Sequence, residues 1–176
     1  HLEMDTPEQV DRGLAIPIEG THYILIELPF EFYPFYGEEV LFKLQLKGLR
    51  PIVVHPERNL AIQDNPQVLA NLVEKGALAQ ITADSITGAL GKESQKASKE
   101  LLQRSLVHII ASDGHSARGA RMPLLSPGVA AAARVVGVEA ARSMVEDIPQ
   151  AILQDRVPDL QGLPRGSRQR WWNRRG

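Results

Sequence analysis

Four short apolar segments, spaced almost evenly, constrain this chain more than any other feature. They read YILIEL (23–28), PIVVHP (51–56), LAQITAD (78–84) and VHIIASD (107–113). Continuous apolar runs of this length, rich in β-branched residues, are the pattern of parallel strands buried on both faces. Their spacing is close to one βα unit each. Helical patterns fill the intervals. GEEVLFKLQLKG puts Val40, Leu41 and Leu44 on one face, and Gly48 can end that helix. NPQVLANLVEKG offers Asn65 as N-cap, Pro66 at the first helical position and Gly76 as a stop. KESQKASKELLQRSL precedes the fourth segment. SPGVAAAARVVG and VEAARSMVEDIPQAILQD follow it, with Pro127 at a helix start and Pro149 breaking or kinking the last helix.

This alternation predicts an α/β fold with a parallel sheet. The βα units lack a Gly-rich phosphate loop, which favours a barrel over a dinucleotide-binding sheet. A barrel of the common kind needs about eight strands. Four therefore imply an open sheet, or a barrel whose first units are missing from this chain.

Composition narrows the function classes. At 176 residues with 43% hydrophobic and 23% charged, the chain can bury a real core. It has no cysteine, which removes disulfides, thiolate nucleophiles and cysteine-bound zinc. A net charge of −1 gives no general case for nucleic acid. No apolar run suggests a transmembrane segment or a signal peptide, and a cytoplasmic location is expected. The end is different. Arginines 165, 168, 170, 174 and 175 and Trp171 and Trp172 make residues 158–176 read as a solvated tail. The sharper alternative is contact with an anionic surface through the tryptophans.

In open sheets and barrels alike, sites gather at the C-terminal ends of the strands. Those ends carry Glu27, His55, Asp84 and Asp113, with His115 just beyond. An acid inside ILIELP is costly to bury without a partner. His55 alone fits a hydrogen-bonded core histidine equally well. Asp84 fits an N-cap better than a site. Asp113 and His115 lie two apart, so an extended backbone would point both to one side. Carboxylate and imidazole together are a ligand set for manganese, iron or zinc. Every Phe and Tyr falls between Tyr23 and Phe42, mostly in PFEFYPFYG. That loop follows the strand bearing Glu27, so it should border the site mouth as a wall for an aromatic ring. A packing loop or a dimer contact is the plainer alternative.

With ILIELP, HPER at 55–58, LQRSLVHIIASDGH at 102–115 and RMP at 121–123 in this order, the chain resembles the PHP-type (polymerase and histidinol phosphatase) bacterial protein-tyrosine phosphatases of capsule and exopolysaccharide biosynthesis. The resemblance runs from about residue 1 to 155. It implies a fold that is the C-terminal portion of a distorted (β/α)7 barrel over residues 1–157. It also implies a metal site for manganese, or iron or zinc, with up to three ions in the complete family site. Glu27, His55, Asp113 and His115 match metal ligands of the family. Arg58 matches one phosphate-holding arginine. Arg121 is the better match for the second, with Arg118 as alternative. The implied substrate is phosphotyrosine on a protein, the tail of a polysaccharide chain-length tyrosine kinase.

The departures set a further expectation. The family opens with a His-x-His strand and continues to a Gly-x-Glu strand end, and neither is in this chain. It therefore reads as N-terminally truncated, unable to assemble the full metal site alone, and in need of pairing with another chain, itself included. A histidinol-phosphatase-like phosphoesterase and a non-catalytic interaction module are the rival readings.

Overall fold

The structure is a computed structural model that describes residues 1–118 and 121–163. The chain opens with helix α1 (Thr6–Asp11), which carries a proline in its first turn, where a missing N–H costs nothing. Strand β1 (Tyr23–Glu27) leads through the aromatic loop to α2 (Gly37–Leu46). The loop packs so tightly that a Cβ on Gly37 would lie 2.6 Å from the Tyr33 hydroxyl. Val40, Leu41 and Leu44 face the core as their spacing demands, and Gly48 follows at φ +80°.

Strand β2 (Arg50–Val54) runs into a 3₁₀ turn (Pro56–Arg58), then α3 (Leu60–Asp64) and α4 (Gln67–Glu74). Pro66, not Asn65, is the cap residue of α4. Asn65 still serves the helix start, because its Oδ1 accepts from the Gln67 N–H at 3.2 Å. Strand β3 (Leu78–Thr82) passes directly into α5 (Ala83–Thr87), and α6 (Lys92–Gln103) leads to β4 (Ile109–Ala111). Three helices close the described chain: α7 (Ser126–Val136), α8 (Val138–Ser143) and α9 (Asp147–Leu153). The helical stretch 138–155 is therefore divided. The break falls just upstream of Pro149, whose ring would collide with the carbonyl four residues back in a continuous helix.

The four strands form one parallel sheet in the order β1-β2-β3-β4, with Glu27 beside Val54, Val54 beside Gln80 and Thr82 beside Ala111. This register aligns the C-terminal ends of all four strands. Val53, Ala79 and Ile81 are fully buried in the middle strands, under Leu44, Leu69 and Leu101 from the helices. Leu163 also joins this core, beyond the point where the sequence suggests the tail begins. Residues 164–176, including Trp171 and Trp172, lie outside the described residues. Among the described residues, no helix is long and apolar enough to cross a membrane.

Candidate functional site

The C-terminal edge of the sheet collects charged side chains from three strand ends. Glu27 is the last residue of β1. Its side chain is 40% exposed and lies between two rings, with Oε1 3.2 Å from His55 Nε2 and Oε2 3.3 Å from His1 Nδ1. The acid in this apolar strand thus stands at its partly exposed end, where it stays in reach of water and has two ring partners.

His55 sits just past β2 at φ +38° and ψ +48°. Pro56 makes the right-handed helical region unfavourable for this residue, and the left-handed conformation it adopts is one that a non-glycine residue keeps only where its surroundings hold it. The His55 N–H donates to the Gln80 carbonyl at 2.7 Å, and the His55 carbonyl accepts from the Arg58 N–H at 3.0 Å. This fixes the turn that presents both side chains to one edge. Burial lowers the His55 pKa, and the Arg58 cation lowers it further, against the opposing pull of Glu27 and Asp113.

Arg58 Nη1 donates to Asp113 Oδ2 at 3.2 Å. Arg121 Nη2 donates to the same oxygen at 2.5 Å and to the Asp113 carbonyl at 3.2 Å. Arg121 is therefore the second arginine of the cluster. Arg118 is exposed, and its carbonyl accepts from Ser116 Oγ at 2.6 Å.

The extended geometry expected for Asp113 and His115 is not found. Strand β4 ends at Ala111, and Asp113 takes a left-handed φ of +51°. His115 is 60% exposed, and its Nδ1 lies 2.7 Å from the Asp113 carbonyl oxygen and 3.7 Å from Oδ1. The reason is the loop that follows. The N–H groups of His115 and Ser116 both donate to the Arg121 carbonyl, at 3.0 and 3.3 Å, which turns the chain after Asp113 back toward Arg121. Asp84 also departs from expectation. Thr82 is the cap residue of α5 and Asp84 lies inside its first turn, because β3 passes into the helix without a linker.

Two residues of the site escaped the sequence reading. Glu57 is fully buried, accepting from the Thr82 N–H at 3.1 Å and the Ser85 hydroxyl at 2.6 Å. It ties the 55–58 turn to the end of β3. Asn59 caps α3 through the Ile62 N–H at 2.9 Å and donates to the carbonyls of Pro29 and Phe32 at 2.6 and 2.9 Å. It ties the same turn to the aromatic loop. Along 55–59, His55 and Arg58 thus face the site while Glu57 and Asn59 anchor the turn. The Asn59 cap carried a sequence signal, a cap-forming residue before an apolar stretch; the Glu57 anchor carried none. A small cleft of about 100 Å3 opens here, lined by His1, Glu27, Pro29, Phe30, His55 and Arg58. Phe30 is 58% exposed, so the aromatic loop does border this edge.

Carboxylates and imidazoles are the right donor types for a transition metal. In this arrangement Glu27 contacts the rings of His55 and His1, and Asp113 is held by two guanidiniums. Among the described residues, no group of three or more His, Asp or Glu side chains is placed to hold a metal ion.

A family model described as capsular polysaccharide synthesis, CpsB/CapC, matches residues 1–154. This chain belongs to the CpsB/CapC family. Tyrosine-protein phosphatase YwqE of Bacillus subtilis is 44% identical over 114 residues, which are 62% of this chain and 45% of YwqE. Tyrosine-protein phosphatase CpsB of Streptococcus pneumoniae is 26% identical over 164 residues, 89% of this chain and 66% of CpsB. The matches thus span about half the length of YwqE and about two thirds of CpsB. A solved structure, reported among crystal structures of YwqE and CpsB as unique metal-dependent tyrosine phosphatases, superposes with a TM-score of 0.86. That match has 32% identity and covers 94% of this chain and 66% of the other.

Proposed function

We propose that this chain carries the phosphate-binding arginines and part of the metal-donor set of a metal-dependent protein-tyrosine phosphatase. One observation supports this best. Arg58 from the turn after β2 and Arg121 from the loop after β4 converge on one carboxylate, beside the Glu27–His55 pair. Paired guanidiniums match the several oxygens of a phosphoryl group and stabilise charge that builds on them during transfer. The names of YwqE and CpsB support the same reaction class.

In this reading the sheet is the C-terminal portion of a (β/α)7 barrel. Glu27, His55, Asp113 and His115 are part of a donor set for manganese, iron or zinc, of up to three ions, completed by donors beyond those described. Such ions would supply Lewis acidity and an activated water. The chain's own arginines bind and orient the phosphoryl group, and Phe30 flanks the ring that bears it. The substrate is phosphotyrosine on a protein, the tail of a polysaccharide chain-length tyrosine kinase, which places the chain in capsule or exopolysaccharide control.

The test begins with peptide binding. A tyrosine-phosphorylated peptide is expected to bind the purified chain more tightly than its unphosphorylated form. Arg58→Gln is expected to reduce that preference about tenfold, as loss of a charge-assisted contact does. Hydrolysis is then compared between phosphotyrosine peptide and histidinol phosphate with manganese present. Equal binding of the two peptides, or turnover of histidinol phosphate alone, overturns the proposal. Metal analysis of the same preparation is expected to show less than one ion per chain. Retention of two or three would refute the view that the donor set is partial.

A further inference from the structure

We propose that Phe32 and Phe35, in the loop after β1, form an apolar ridge that takes bulky apolar side chains flanking the phosphotyrosine of a bound peptide, and so select among phosphoproteins. The inference rests on reading this edge of the sheet as a phosphotyrosine site, and it adds which neighbouring residues that site prefers.

Phenylalanine is among the residue types most often found inside a protein. This chain has four, at positions 30, 32, 35 and 42, and none is in the core. All are more than half exposed, from 55% at Phe32 to 89% at Phe35. The same loop holds two tyrosines, whose hydroxyls suit them better to water. Yet Tyr33 and Tyr36 are the rings that pack against the core. The loop thus turns its polar-tipped rings inward and its wholly apolar rings outward. Folding does not account for that choice, since it leaves apolar area in water where no packing is gained. Phe35 meets Tyr36 edge to face, with centroids 5.3 Å apart, so its ring is oriented although it is exposed.

The backbone that carries the ridge is fixed to the turn that carries Arg58. Asn59, the next residue, donates from Nδ2 to the carbonyls of Pro29 and Phe32 at 2.6 and 2.9 Å, and the Leu60 N–H donates to the Phe30 carbonyl at 2.9 Å. Phe30 lines the cleft together with His55 and Arg58, and the ridge continues from it along the loop. A cleft and a ridge held at one fixed spacing suit a single ligand that carries both a phosphoryl group and apolar side chains, because little ordering of the loop is left to do on binding. An extended peptide advances about 3.3 Å per residue, so the residues next to its phosphotyrosine are the ones that fall within reach of so short a loop. Charge points the same way. Glu31 is exposed between Phe30 and Phe32. Its carboxylate opposes an anionic lipid surface, which exposed rings would otherwise suit, and equally opposes acidic residues beside the phosphotyrosine.

The experiment is fluorescence anisotropy with the full chain and labelled phosphotyrosine peptides, in chelator so that none is hydrolysed. One peptide carries leucine on both sides of the phosphotyrosine and the other carries alanine. The leucine peptide is expected to bind about tenfold more tightly, the effect of covering part of two apolar side chains. Phe32→Ala with Phe35→Ala is expected to bring the two peptides within about twofold of each other. Either substitution alone, expected to lose about threefold, gives the same reading if the double variant folds poorly. Phe42 is the control. It is as exposed as Phe30 but lines a separate hollow between α2 and α4, so Phe42→Ala should keep the full difference. Equal affinity of the two peptides for the wild type overturns the proposal. So does a difference that survives in the double variant or vanishes in Phe42→Ala. Self-association of the wild type that the double variant abolishes would assign the ridge to a second copy and overturn it too. A leucine preference that depends on Phe32 and Phe35, in a chain that binds phosphorylated and unphosphorylated peptides equally, would leave this inference standing while removing the phosphatase reading. A phosphotyrosine preference indifferent to the flanking residues would do the reverse.

Discussion

His108 and Glu57 are both buried, and their proton equilibria pull stability in opposite directions. His108 stands just ahead of β4, where its N–H donates to the Ala79 carbonyl at 2.9 Å and its Nδ1 accepts from the Ala79 N–H at 3.0 Å. The second bond requires a neutral ring with the proton on Nε2, and burial pushes the His108 pKa down to about 4. The unfolded chain, near the usual histidine value, binds more protons as pH falls from about 6.5 to 4, so this contribution to stability is lost on acidification. Glu57 behaves oppositely. Burial raises it to about 7, against the hydrogen bonds from Ser85 and Thr82, and its Oε2 has no hydrogen-bond partner among the described residues. The folded state holds that proton when the unfolded chain has lost it, so stability present below about pH 4.5 fades as pH rises through 7. The two slopes offset each other in the wild type. Glu57→Gln is expected to leave stability rising with pH between 4.5 and 6.5 by about 1 kcal/mol per unit, and His108→Asn to leave it falling by a similar amount. Urea midpoints at several pH values in that window decide it. Flat profiles in both variants would show that neither group titrates in the folded protein as assigned.

At the level of elements, the packing of α7 on α5 depends on the absence of one side chain. A Cβ on Gly128, in the first turn of α7, would lie 2.5 Å from Ala83 Cβ and 2.7 Å from Ala83 Cα. Contacts this short cannot be relieved by rotating a side chain, so one helix must move. Gly128→Ala should gain about 0.5–1 kcal/mol in helix propensity and lose about 1–3 kcal/mol to overpacking, a net loss. A lowered urea midpoint is the expected outcome; an unchanged or raised midpoint would mean that the helices adjust freely. The same close approach shows what sequence patterns carry and what they omit. The four strands and the helices α2, α4, α6 and α7 were legible, because each repeats an apolar period over several residues. The 3₁₀ turn and α3, in contrast, are shorter than any reliable period, and they follow from the left-handed turn at His55 and the Asn59 cap. Glu27, His55 and Asp113 were legible as strand-end polar residues, and Arg58 and Arg121 through motif resemblance. The direction of Asp113 was not, because it is set by contacts with Arg121, eight residues on, and by the bonds of His115 and Ser116 to the Arg121 carbonyl. Glu57 was hidden for a related reason: its partners, Thr82 and Ser85, are distant in sequence.

For the molecule as a whole, the decisive feature is a sheet with an open flank. The strands β2 and β3 lie inside, while β1 is an edge whose central side chain, Leu25, is 50% exposed. Residues at either side of the edge are tied to it, by Leu2 N–H to the Glu27 carbonyl at 2.7 Å and Ile18 N–H to the Tyr23 carbonyl at 2.8 Å. The segments that supply those ties leave Met4, Leu14 and Ile16 exposed at 57%, 63% and 74%. Edge strands bearing apolar side chains pair with other chains unless charge or cover prevents it. This flank has neither at Leu25, so the described fold is expected to self-associate with rising concentration. Sedimentation velocity over a concentration series measures this directly. Leu25→Lys places a charge at the edge with little cost to the core, because the side chain it replaces is already half in water. That variant should keep the wild-type circular dichroism spectrum while shifting the population toward monomer. A wild type that sediments as monomer throughout, or a Leu25→Lys variant that associates as strongly, would place the apolar contact elsewhere on the surface.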